Sequence, residues 1–146
     1  MDETTLDLTA GHLLTLVFFS HKQFLSTDNS MTGVKAAQYR LLGHLMKKGT
    51  LSMSALGNRL YISRPYMTNL VDGLIKDGYV RRENDAGDRR VINISITENG
   101  LKHLRQAHSQ YKNHVKDLLS GLNPVDLEIL CASTEKVESI LKKLEK

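Results

Sequence analysis

The sequence has a single cysteine, Cys131, so an internal disulfide framework is excluded. One free thiol suits a reducing compartment. No apolar run approaches the ~20 residues needed to span a bilayer. The start, Met1-Asp2-Glu3, is acidic and lacks the basic opening of a signal peptide. These absences point to a cytoplasmic chain with no membrane partner. There is also no phosphate-binding glycine loop, no nucleophile with a placed base, and no cluster of metal ligands. Nothing supports an enzyme, a cofactor or a bound metal. The prolines number two, Pro65 and Pro124, and each stands where a helix begins.

What is present is ordinary globular composition: 146 residues, 40% hydrophobic and 25% charged. That is enough for one domain with a real core. The net charge is +4, and the isoelectric point is near 9.2. The placement of charge says more. Six of the eight arginines fall between Arg59 and Arg90. Clustered arginine is the electrostatic footprint of a nucleic-acid site. The opposing reading is a solvated, salt-bridged surface, because Asp72, Asp77, Glu83, Asp85 and Asp88 are interleaved.

Periodicity predicts a mainly α, α+β chain. A first helix over about 6–26 carries Leu13, Leu14, Leu16, Val17, Phe18, Phe19 and Phe24 around much of its circumference. A helix apolar on more than one face needs more than one neighbour. Residues 27–33 read as a loop. A second helix covers 35–47, ended by Gly49. Leu51 to Ser54 reads as extended. Ser52 or Ser54 then caps a short helix to about Tyr61. Ser63 caps a new helix with Pro65 in its first turn, and Met67, Leu70, Val71 and Leu74 form its inner face. Gly78 stops it. Strands over 79–83 and 91–97 flank a polar turn at 84–88, which makes a β-hairpin with arginines at its tip.

The last third is helical. Leu101, Leu104, His108, Tyr111, Val115, Leu118 and Leu122 step by three and four. After Asn123-Pro124, Leu127, Leu130, Thr134, Val137, Leu141 and Leu144 repeat the stepping. Such seams need partners. A second copy of the chain supplies them, or a monomeric hairpin folds them on the first helix.

Two short helices followed by a hairpin make a winged helix-turn-helix. A recognition helix fits the major groove, where base edges carry a readable code. A wing places arginine in the minor groove, where the negative potential is enhanced. The exposed residues Arg64, Thr68 and Asn69, near the helix start formed by Ser63 and Pro65, are those that reach bases. The alternative is a winged-helix module that binds only protein and has no DNA target of its own.

The stretch Leu60-Tyr61-Ile62-Ser63-Arg64-Pro65-Tyr66-Met67-Thr68-Asn69-Leu70-Val71-Asp72-Gly73-Leu74 resembles the recognition-helix region of the multiple-antibiotic-resistance regulator (MarR) family. Gly78-Tyr79-Val80-Arg81-Arg82 follows at the family's spacing. Asp85-Ala86-Gly87-Asp88-Arg89-Arg90 and Ile94-Ser95-Ile96-Thr97-Glu98-Asn99-Gly100 resemble its wing and the helix start beyond. The resemblance covers nearly the whole chain, 1–146, as a single domain. It implies a DNA-binding lobe over about 35–100 and dimerisation helices over about 5–27 and 101–146. It further implies a homodimeric transcriptional repressor on a pseudo-palindromic site in double-stranded DNA. By the matching wing positions, Arg90 enters the minor groove, Asp88 orients the wing and Arg89 meets the backbone. A small lipophilic or phenolic effector is implied between the lobe and the dimerisation helices. His12, Leu16, Phe19, Tyr39, His108 and Tyr111 are the candidate lining.

His103, His108 and His114 are spaced by five and six, which does not place them on one helix face. No metal set follows. His108 on its apolar seam reads as a hydrogen-bonded core residue, a polar register-setter in a dimer, or a ligand contact. Cys131 reads as a packed, inert thiol.

Overall fold

The chain is described from a computed structural model over residues 2–20 and 33–144. The end of the first predicted helix, including Phe24, and most of the following loop lie outside the described residues. The elements run α1 (Glu3–Ser20), α2 (Gly33–Lys48), β1 (Leu51–Ser52), α3 (Met53–Leu60), α4 (Arg64–Lys76), β2 (Val80–Asn84), β3 (Ile92–Ile96), α5 (Glu98–Leu119), α6 (Pro124–Leu141) and a final 3-10 turn (Lys142–Leu144). Gly33, expected in the loop, opens α2 instead.

Local chemistry sets these boundaries. Gly49 and Gly78 follow α2 and α4 at φ 77° and 75°, the left-handed conformation that glycine adopts without steric cost. The Ser52 hydroxyl accepts from Ala55 N–H at 3.1 Å and so caps α3. Ser63 occupies the corresponding position before α4 but makes no side-chain cap bond. That helix start relies on Pro65, whose missing N–H has no intrahelical partner in the first turn. Asn123 does cap α6, accepting from Asp126 N–H at 2.9 Å.

The extended piece before α3 is a true strand. The sheet order is β1-β3-β2, antiparallel throughout. Leu51 stands opposite Ile94, and Val80 opposite Ile96. Both hairpin strands start one residue later than the periodicity predicts, at Val80 and Ile92.

The chain divides into two compact units, Met1–Ser109 and Gln110–Lys146. The first holds the core. Leu41, Leu42 and Leu45 of α2, Leu56 and Leu60 of α3, and Met67, Leu70, Val71 and Leu74 of α4 close around Val80 and Ile94 of the sheet and Leu104 of α5. Each fully buried aliphatic side chain contributes about 1.5–3 kcal/mol of transfer free energy. Helix α1 has no buried residue, and Leu6, Leu8, Leu14, Leu16, Val17, Phe18 and Phe19 are exposed.

The second unit contains the end of α5 and all of α6. Helix α6 also has no buried residue. Leu122, read as part of the first seam, lies beyond the end of α5. Cys131 is exposed rather than packed, because α6 buries no side chain among the described residues.

Candidate nucleic-acid interface

Helix α4 turns Met67, Leu70, Val71 and Leu74 into the core. The i, i+3, i+4 spacing of that face leaves Arg64, Pro65, Thr68, Asn69 and Asp72 exposed. The Thr68 hydroxyl donates to the Arg64 carbonyl at 3.1 Å, which orients it along the first turn. Its oxygen retains acceptor capacity.

The wing is organised by Asp85. Its carboxylate accepts from Gly87 N–H at 3.0 Å, Asp88 N–H at 3.2 Å and Asn93 Nδ2 at 2.9 Å. These three bonds hold the Asp85 carboxyl below its usual range, the Asn93 bond most strongly. Asp88 in turn accepts from Arg90 N–H at 2.9 Å and fixes the backbone at the tip. The family resemblance assigns the orienting role to Asp88; in the structure Asp85 accepts three hydrogen bonds in this turn and Asp88 one. The signal for Asp85 is its place at the head of an Asp-x-Gly turn, where such side chains bond the backbone two residues on.

The arginines of α4 and the wing divide into two groups. Arg82 pairs with Asp72 at 2.8 Å, and Arg81 with Glu83 at 3.2 Å. Arg81 also donates to Ser95 Oγ at 2.9 Å. For these two the solvated, salt-bridged reading holds. Arg64, Arg89 and Arg90 form no ion pair among the described residues. Three arginines without an ion pair among the described residues thus stand at the start of α4 and the tip of the wing.

These two places meet. A groove of about 410 Å³ lies between α3, α4 and the wing, lined in part by Ser54, Asn58, Arg64, Thr68, Arg82 and Arg90. Ser63, Pro65, Asn69, Asp88 and Arg89 do not line it. Ser54 and Asn58 are absent from the site that the sequence predicts. They face the groove at a spacing of four along α3, which is visible only once the wing is folded against that helix.

The remaining candidates are dispersed. Tyr39 Oη and His108 Nδ1 share a 2.8 Å hydrogen bond between α2 and α5. Partial burial pushes the Tyr39 phenol up from its usual value. His108 is thus hydrogen-bonded, though exposed rather than core. His12, Leu16 and Phe19 lie along exposed α1, and Tyr111 belongs to the second unit. His103 stacks on Tyr79 with ring centroids 4.1 Å apart. No group of three or more metal-ligating side chains occurs among the described residues, and none of their helices is long and apolar enough to cross a membrane.

A three-helix unit whose last helix is followed by a two-stranded wing defines a winged helix-turn-helix protein. The family model described as MarR family matches residues 32–91, from α2 through β2 and the wing turn. The transcriptional regulator PapX of Escherichia coli is 30% identical over 114 residues, covering 77% of this chain and 65% of PapX. The chain thus spans just under two-thirds of that relative's length. The transcriptional repressor YetL of Bacillus subtilis is 31% identical over 71% of this chain and 66% of its own. Among solved structures, the transcriptional regulator BldR of Sulfolobus solfataricus superposes with a TM-score of 0.64 at 26% identity, covering 98% of this chain and 99% of BldR. A point mutant of S. aureus MepR, solved bound to an oligodeoxyribonucleotide, has a TM-score of 0.61 at 24% identity over 90% of this chain and 97% of its own. Its winged helix-turn-helix is similar to those of the MarR family.

Proposed function

We propose that this chain is a sequence-specific DNA-binding transcriptional regulator, a homodimeric repressor acting on a pseudo-palindromic operator. The observation that carries the reading is the shared groove of Arg64, Thr68 and Arg90, with arginines left without ion pairs where α4 and the wing converge. Arg64, Thr68 and Asn69 read base edges in the major groove from the start formed by Ser63 and Pro65. Arg90 enters the minor groove, Arg89 meets phosphate, and Asp88 holds the tip. The apolar surfaces of α1 and α6, neither of which has a buried residue, support a homodimer through the terminal helices. The Tyr39–His108 bond supports a polar anchor for a small lipophilic or phenolic effector. Such an effector releases DNA only if it binds one dimer geometry more tightly than the other.

The test is a titration of the purified chain against the DNA upstream of its own gene, with scrambled competitor, at two salt concentrations. Binding should survive competitor and weaken steeply with salt, because phosphate contacts release counterions. Binding that competitor abolishes at both salt concentrations overturns the operator reading.

A further inference from the structure

One residue of the helix-turn-helix takes a conformation that favours glycine, and its side chain makes no contact among the described residues that offsets the cost. Tyr61 ends α3 at φ 53°, ψ 45°, and among the described residues no other non-glycine has a positive φ. The turn closes through Ile62 N–H to the Gly57 carbonyl at 3.1 Å. Glycine is the usual occupant of such a site, because a side chain there crowds its own backbone. Tyr61 is nevertheless an aromatic, 93% exposed. Its ring packs on no core residue, and its hydroxyl has no hydrogen bond among the described residues. A strained residue whose side chain has no intramolecular contact points to a use of that side chain outside the chain.

Its position says what it meets. Tyr61 stands three residues ahead of Arg64, the first residue of α4. The preceding carbonyl, Leu60 O, accepts from the Arg40 guanidinium of α2 at 3.1 Å. A helix C-terminus carries negative partial charge and would repel an approaching phosphate. Arg40 cancels that charge beside Tyr61. A turn just outside the recognition helix stays at the groove rim while the helix enters, so it meets sugar and phosphate rather than base edges.

From the strained, exposed turn and the arginine that caps it, we infer that Tyr61 is a backbone-contacting residue of the DNA interface. Its phenol donates to a phosphate at the rim of the major groove and sets the depth and register of α4. The inference rests on the DNA reading above and adds a residue to it.

Two variants, Tyr61→Phe and Tyr61→Asn, test it beside the parent in the full-length chain. The probes are the duplex upstream of its own gene and a scrambled duplex of equal length. Tyr61→Phe should bind both duplexes roughly three- to tenfold more weakly, the worth of one hydrogen bond. The dependence on salt should be unchanged, because a neutral contact releases no counterion. Tyr61→Asn should lose as much affinity while melting no lower than the parent, since asparagine tolerates the left-handed conformation. Variants that bind both duplexes as the parent does overturn the inference alone. So does a Tyr61→Asn chain that melts lower, which would make the ring a packing element. A parent that binds neither duplex overturns the DNA reading and this inference with it.

Discussion

Asp72 on the outer face of α4 and Arg82 on β2 hold each other at 2.8 Å, tying recognition helix to wing. The pair is solvent-exposed, so its worth in stability is about 0.2–1 kcal/mol. Its larger effect is electrostatic. Asp72→Ala frees one guanidinium beside the groove that Arg82 lines. The variant should bind duplex DNA more tightly at low salt, with a salt slope steeper by about one phosphate contact. The slope of log affinity against log salt, measured for both chains, checks this. An unchanged slope would show that Arg82 does not reach DNA.

The wing turn should depend on the ionised state of Asp85. Its folded value lies below the ordinary 3.8 because three donors point at the carboxylate, Asn93 foremost. The carboxylate's contribution is therefore present above that ordinary value and is lost as pH falls through the lower, folded one. Asp85→Asn replaces one acceptor oxygen with a donor that opposes Gly87 N–H or Asn93 Nδ2. We expect faster amide exchange at Gly87 and Asp88 and weaker DNA binding, with the core's melting transition little changed.

Gly100 cannot accept a side chain. A Cβ there would collide with the Tyr79 carbonyl oxygen and press on Ile96. The site is also where Thr97 accepts from Gly100 N–H at 3.0 Å and donates to the Gly78 carbonyl at 2.6 Å. Gly100→Ala should cost about 1–3 kcal/mol, the range for overpacking a tight contact. Chemical denaturation measures it. A variant as stable as the parent would mean that the junction between α5 and β2 yields freely.

Arg90 and Asn69 should separate two kinds of contact. Arg90→Ala should weaken binding across all sequences and lower the salt slope by about one. Asn69→Ala should change preference at a few positions by about 1–3 kcal/mol and leave the slope alone. Binding to a panel of single-base operator variants at two salt concentrations distinguishes them.

Much of this architecture is legible in the sequence because it is local. Ser52 and Asn123 announce helix ends through their side-chain oxygens, Pro65 and Gly78 through their backbones, and all four stand at the ends they mark. The alternation of Ile92, Ile94 and Ile96 announces a strand with one buried face. Pairings between distant segments are not legible. That Leu51–Ser52 joins the sheet depends on β3 having a vacant edge. That Arg81 and Arg82 are neutralised while Arg64, Arg89 and Arg90 form no ion pair among the described residues depends on which acids the fold brings within reach. Cys131 departs from its expected packing for a related reason: a packed thiol requires a neighbour, and α6 has no buried residue. Ser63 marks the start of α4 by position, but its hydroxyl makes no cap bond.

The two-residue strand β1 does more than its length implies. Its Ser52 pairs with Asn93 of β3 and caps α3 through Ala55, while β3 bonds β2 along its other edge. The wing is thus clamped to the helix-turn-helix through backbone and cap alike. A flap would swing independently of α4, but this one travels with it. A change in the lobe's orientation would then carry the base of the wing with the helices, as a lever carries its arm.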